Sequence, residues 1–93
     1  MKIVYTDHLE FRLKIRSIPY NLPREVFHGS KEHYYDLATR HYLAIKKVEF
    51  AGKAREMVVT YDKKKYAVEL ITIHPIRPYQ KHGRVNSGRW RKI

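Results

Sequence analysis

Apolar residues recur at helical intervals from Asp7 to Gly29 and at intervals of two from His33 to His74. Ahead of both stretches, Lys2-Ile3-Val4-Tyr5-Thr6 reads as a short strand. Asp7 is a suitable helix N-cap, and Glu10 three positions later completes a capping-box pattern. On the helix that follows, Leu9 and Leu13 stack one turn apart, as do Phe11 and Ile15, which predicts a broad apolar face. Arg12, Lys14 and Arg16 fill the rest of the circumference, and Pro19 stops the helix. A second short helix is predicted from about Asn21, with Pro23 in its first turn and Gly29 at its end.

Beyond Gly29 the repeating side chains are Tyr, Val, Ile and Thr, which suit a pleated, half-buried surface. His33 to Leu37, Tyr42 to Phe50, Glu56 to Tyr61 and Tyr66 to His74 are predicted strands. The separators Ala38-Thr39-Arg40-His41, Ala51-Gly52-Lys53-Ala54 and Asp62-Lys63-Lys64-Lys65 are short enough for hairpins, so the strands form an antiparallel meander. Ala67 to Ile73 is the least polar run and is expected at the centre of the sheet. The fold class is therefore α+β, in the order βααββββ, with two short helices on one face of the sheet. No linker or internal repeat divides the 93 residues, and 1–93 reads as a single domain. Only the segment after Pro75, with Pro78, Gly83 and Gly88, looks irregular. Within it Val85, Trp90 and Ile93 are expected to fold back as a last short strand.

Composition adds a sign to this picture. The chain carries 20 Lys+Arg against 9 Asp+Glu, a net charge of +11. A positive potential of that size favours nucleic acid, an acidic protein or an anionic membrane surface as partner. The basic C-terminal segment, residues 75–93, holds Arg77, Lys81, Arg84, Arg89, Arg91 and Lys92 and no Asp or Glu. Trp90 is too large to leave in water, so it is expected to pin this segment and display the arginines on a fixed surface. Asn21, Gln80 and Asn86 are the only side-chain amides, and scarce amides with many charges are a thermophile habit. The chain has no Cys, which excludes disulfides, thiolate catalysis and Cys-ligated zinc. No apolar run approaches the roughly 18 residues of a membrane span, and Met1-Lys2-Ile3-Val4-Tyr5 is unlike a signal peptide, so a cytoplasmic protein with no membrane partner is expected.

Candidate chemistry narrows further. Six histidines invite a metal, but no HxH, HxxxH or HExxH spacing exists, and neither metal nor cofactor is expected. The glycines are solitary, unlike a phosphate-binding loop, and Ser17, Ser30 and Ser87 give a nucleophilic hydrolase little to work with. Metal-free cleavage of RNA demands less. It needs a group to take the 2′-hydroxyl proton, a group to protonate the departing 5′ oxygen, and cations for the crowded phosphorane. His8 stands in the first turn of the first helix, where the helix's positive end acts on the ring. His74 ends the least polar strand just before the basic segment. Lys46 and Lys47 interrupt an apolar strand and, being adjacent, point to opposite faces. His8, His74 and Lys46 are the candidate catalytic residues. Arg16, Arg77, Lys81, Arg84, Arg89 and Arg91 are the candidates for holding phosphate. Each has an ordinary reading beside it: histidines that cap a helix or strand end, lysines with packed stems and solvated heads, arginines left in water.

The succession of motifs is familiar. A strand, Asp7-His8, a helix ending in Arg16-Ser17-Ile18, a short helix containing Pro23-Arg24-Glu25-Val26, then Tyr42-Leu43-Ala44-Ile45-Lys46-Lys47 and hydrophobic hairpins resemble small RelE/ParE-superfamily proteins. The nearest likeness is to the BrnT-like branch and its relatives, whose final strand and ending are similar to Thr72-Ile73-His74-Pro75 and Gly88-Arg89-Trp90. The resemblance implies a RelE-like fold and a toxin of a type II toxin–antitoxin pair. Such a toxin cleaves messenger RNA without metal, often on the ribosome, and is silenced by a cognate antitoxin wrapped over its sheet. The positions that match the pattern are His8, Arg16, Lys46, His74, Arg89 and Trp90. Two other readings stand beside this one. The same basic face suits a non-catalytic RNA- or ribosome-binding module, and a positive surface also suits a domain that meets an acidic protein partner.

Overall fold

The computed structural model describes Lys2 to Ile93. Its elements are β1 (Lys2–Tyr5), α1 (Asp7–Ile15), α2 (Leu22–Gly29), β2 (Glu32–Asp36), β3 (His41–Phe50), β4 (Lys53–Lys63), β5 (Ala67–Ile76), α3 (Pro78–Asn86) and β6 (Trp90–Lys92). All the strands join one sheet in the order β1-β5-β4-β3-β2-β6. β2 to β5 form the expected antiparallel meander. β1 adds to β5 in parallel, and β6 returns to pair antiparallel with β2. The class is α+β, with a six-stranded, mostly antiparallel sheet and, among the described residues, three helices rather than two. β5 lies one strand in from the β1 edge, while β4 and β3 hold the centre. Its low polarity reflects side chains buried on both of its faces.

The third helix occupies the segment that Pro78, Gly83 and Gly88 mark as irregular. Pro78 opens it in the first turn, where the missing N–H has no helical partner to lose, and the Arg77 amide donates to Gln80 Oε1 at 3.0 Å. None of its residues is buried, so it leaves no apolar period in the sequence. The predicted final strand is present as β6, with Trp90 in it and Ile93 just after it, but Val85 lies in α3 and not in the strand.

At α1 the cap shifts by one residue. Thr6 Oγ1 accepts from the Leu9 amide at 3.1 Å, and Asp7 becomes the first helical residue. Leu9 and Leu13 are buried as their spacing predicts, but Phe11 and Ile15 are 62% and 61% exposed. Each residue turns a helix by about 100°, so Phe11 stands roughly 200° from Leu9 and cannot share its face. α2 follows the sequence reading, from Asn21 as cap through Pro23 to Gly29, and buries Leu22, Pro23 and Val26. Tyr5 ties it to β1: its hydroxyl donates to the Tyr20 carbonyl at 2.7 Å and accepts from the Arg24 amide at 3.2 Å.

The sheet has two unlike faces. On the helical face, Leu9, Leu13, Leu22 and Val26 pack against Ala44, Met57, Val59, Tyr61, Val68, Leu70 and Ile73. On the open face a smaller cluster joins Tyr34, Leu43, Ile45, Val58, Ile76 and Trp90. β5 serves both faces through a β-bulge. Tyr61 faces Leu70 but Thr60 faces Thr72, which leaves Ile71 as an extra residue. Val68 and Leu70 point to the helical face before the bulge, and Ile73 does so after it. Thr72, His74 and Ile76, paired with Thr60, Val58 and Glu56, turn to the open face. Among the described residues, no helix is long and apolar enough to cross a membrane.

Candidate functional site

The open face holds a groove of about 280 Å³. Its floor is the row Leu43, Thr60 and Thr72 across β3, β4 and β5. His41 and His74 lie on opposite sides of that row, and Arg84, Arg89 and Trp90 come from the C-terminal segment to wall it. A second groove, of about 300 Å³, runs between α1 and β5, where His8, Arg12 and Arg16 face Ile71 to His74. Ile71, Thr72 and His74 line both grooves, which meet along this stretch of β5, and His74 is the titratable side chain there. Burial, and then the charges of Arg84 and Arg16, lower its pKa, so the ring is neutral at neutral pH. A neutral imidazole flanked by guanidinium groups is a proton acceptor beside a place for an anion.

The wall of the open groove is fastened by a buried carboxylate. Arg89 Nε and Nη2 donate to Asp36 Oδ1 and Oδ2 at 2.9 and 3.0 Å, and Trp90 Nε1 donates to Oδ2 at 3.2 Å. The Ala38 and Thr39 amides complete the set at 2.9 and 3.4 Å. The Asp36 side chain is 4% exposed. Burial disfavours its ionised form, but hydrogen bonds from Arg89, the two amides and Trp90 outweigh burial and hold the carboxyl well below the usual carboxylate range. Arg89 therefore spends two of its donors inside the protein. Arg84 does not: among the described residues no carboxylate lies within ion-pair range of it, and its guanidinium carbon sits 5.2 Å from the Trp90 ring centroid.

The other sequence candidates are scattered, each for a physical reason. Lys46 pairs in register with Met57 and so lies on the helical face, opposite the side to which His74 turns. Its stem runs over Gly29 at the end of α2, where a Cβ would meet Nζ at 2.6 Å. There the ammonium complements the negative end of the helix. Lys81 Nζ lies 2.6 Å from Glu32 Oε2 and 3.4 Å from Glu56 Oε2, fastening α3 to the sheet. Burial opposes its charge, but the two glutamates outweigh that and raise its pKa. Arg77 and Arg91 are exposed and line neither groove. Thus His8, Arg16 and His74 share one groove, and His74, Arg84 and Arg89 share the other.

The open groove also contains residues that sequence reasoning passes over. His41 Nδ1 lies 2.7 Å from Asp62 Oδ1, a pairing in which the carboxylate accepts the ring proton and fixes the orientation of the imidazole. In the sequence both residues fall in hairpin separators, and only the pairing of β3 with β4 brings them together. Thr60 and Thr72 read as ordinary strand residues, and nothing in their neighbours marks them as a floor. Among the described residues no three His, Asp or Glu side chains gather as metal ligands. Comparison with family models, with curated proteins and with solved structures returned no match.

Proposed function

We propose that the chain is a metal-independent endoribonuclease that cuts RNA at His74, and that it acts as the RelE-like toxin of a toxin–antitoxin pair. One observation carries the reading: a neutral histidine stands where two grooves meet, with unpaired arginines, Arg16 and Arg84, close enough on either side to lower its pKa. RNA crossing this point places a phosphate between the two guanidinium groups, which offset the charge of the phosphorane. His74 takes the 2′-hydroxyl proton, the 2′ oxygen bonds to phosphorus, and the bond to the 5′ oxygen breaks. His8, in the same groove as His74, supplies the proton to the departing oxygen. The products are a 2′,3′-cyclic phosphate and a 5′-hydroxyl.

The test uses purified protein and RNA in EDTA, with end-group analysis, beside induced expression in growing cells. Growth arrest and cyclic or 3′-phosphate ends are expected. His74→Ala slows cleavage by ~100-fold or more with its circular dichroism unchanged. A lowered His74 pKa keeps the base unprotonated to below the usual value of about 6.5, so the acid limb of the rate profile falls below that pH. A limb at or above it, or a His74→Ala protein of full activity, overturns the assignment.

A non-catalytic RNA-binding module is the second reading, and the sheet register favours it. His41, the other histidine of the open groove, stands two strands and two side-chain rows from His74. That separation is roughly 16 Å between Cα atoms, too far for both to serve one phosphate directly. Tight RNA binding without cleavage of free or ribosome-bound RNA decides for this reading.

A further inference from the structure

The groove between α1 and β5 has features that phosphate binding does not use. β1 pairs with β5 only from Ala67 to Leu70, and the Thr6 amide closes the ladder on the Leu70 carbonyl at 3.0 Å. β5 continues to Ile76, so among the described residues Ile71 to Ile76 have no strand on that side. Pro75 has no N–H to give to Met57 opposite it, which sets its backbone polar side outward. Two residues earlier, the N–H and C=O of Ile73 point the same way, into the groove. An unpaired strand edge is a template for another extended chain.

The wall above that edge is cationic at a regular interval. His8, Arg12 and Arg16 are spaced four residues apart on α1 and its C-terminal end, about 6 Å per step along the axis. Alternate side chains of an extended peptide recur at about 6.6 Å, close to the same interval. Among the described residues none of the three has a carboxylate within ion-pair range. The rim beyond them is apolar: Phe11 and Ile15, adjacent on the outer side of the same helix, leave more than half of their surface in water. The pair extends the groove by an apolar strip that a partner's side chains can cover.

We propose that this groove binds an extended acidic segment of a second protein, which pairs with the Ile73 backbone, sets carboxylates on His8, Arg12 and Arg16, and covers Phe11 and Ile15 with apolar side chains. A second copy of this chain is a poor occupant, because each copy carries +11 and would bring one cationic stripe against another. RNA answers the stripe, and a base can stack on Phe11, but it has no aliphatic side chain for Ile15 and no peptide backbone to continue the ladder at Ile73. The proposal does not depend on RNA cleavage. It predicts competition with RNA, since His74 and Arg16 belong to both surfaces.

The probe is a synthetic peptide of alternating Glu and Val, with a scrambled peptide of the same composition as control, titrated into the full chain without RNA. Nuclear magnetic resonance shifts are expected along His8 to Arg16 and Ile71 to His74, with slowed exchange of the Ile73 amide. Arg12→Glu weakens binding by about tenfold or more through loss of a charge-assisted contact and gain of a repulsion. Phe11→Ser with Ile15→Ser weakens it by about tenfold, while leaving melting and RNA affinity near wild type. Equal binding of the scrambled peptide, shifts confined to α3 or the open face, or no peptide binding while RNA shifts the same residues each overturns the proposal.

Discussion

The two faces of the sheet are stabilised in different ways. The helical face is an apolar layer in which α1 and α2 bury Leu9, Leu13, Leu22 and Val26 against the strands. The open face has half as many buried hydrophobic residues, and its cover, the α3–β6 segment, is attached by Trp90, the Asp36–Arg89 pair and Lys81 between two glutamates. Nondirectional burial supports the first, and directed, charge-dependent bonds hold the second. The lesson is one of division of labour: the helical layer holds most of the buried apolar side chains, and the open layer depends more on its charged attachments.

The largest expected difference between the faces comes from the carboxylate. Asp36→Ala leaves the Arg89 guanidinium and the buried Trp90 indole N–H without their acceptor. Arg89 is 37% exposed and regains water, so the cost is that of the lost charge-assisted hydrogen bonds, on the order of 3 kcal/mol. Amide exchange should accelerate first in β6 and α3, ahead of β4. Acid should do the same to the native chain. Because the Asp36 carboxyl is held low in the folded protein, its stabilisation is complete above the unfolded value of about 3.9 and is lost as pH falls through the lower folded value. Equal protection of β6 and β4 at pH about 2–3 would remove the ionic account of the open face.

Leu9→Ala probes the other layer. It should cost about 3 kcal/mol, read as a lower melting temperature with all strands losing protection together, and show little dependence on pH or salt. Arg16→Ala with Arg84→Ala comes next. If both contact phosphate, the salt dependence of single-stranded RNA affinity flattens by about 1.4 in log–log slope, at roughly 0.7 per contact. An unchanged slope would move the RNA off His74. Arg89 is unsuited to this test, since its replacement also opens the Asp36 pair. The smallest effect belongs to Gly29→Ala. The new methyl displaces only the flexible end of Lys46, and helix propensity gains up to about 1 kcal/mol, so stability should stay level or rise slightly with RNA affinity unaffected.

Much of this was legible in the sequence wherever a residue's burial follows from its own periodicity. Leu9 with Leu13, the α2 boundaries around Pro23 and Gly29, the meander and the anchoring of Trp90 all belong to that class. Phe11 and Ile15 share the spacing but not the direction, and a helix of nine residues on a sheet has room for only one buried stripe. α3 escaped because a helix that buries none of its residues has no apolar period to read, and because Pro78 signals a helix start as readily as a break. At the site, His74 and Arg16 were within reach, since one follows the least polar strand and the other follows α1. Arg89, Lys81 and Lys46 could not be sorted from other cations without knowing that Asp36, Glu32 and the end of α2 lie beside them. His41 and Asp62 needed the hairpin register itself.

The bulge at Ile71 has a consequence for how the site is encoded. A strand writes its two sides in a two-beat rhythm, and one unpaired residue delays every later beat by one. Were Ile71 instead paired with Thr60 in a regular ladder without the bulge, Thr72 and His74 would fall opposite Val59 and Met57 on the helical face, while Ile73 would turn to the open face opposite Val58. Not one residue of the chain would change, yet the neutral imidazole between arginines would be gone from the open face. The address of His74 is thus held as a phase offset one residue wide, and an alignment that slides past that residue reads the right letters on the wrong side.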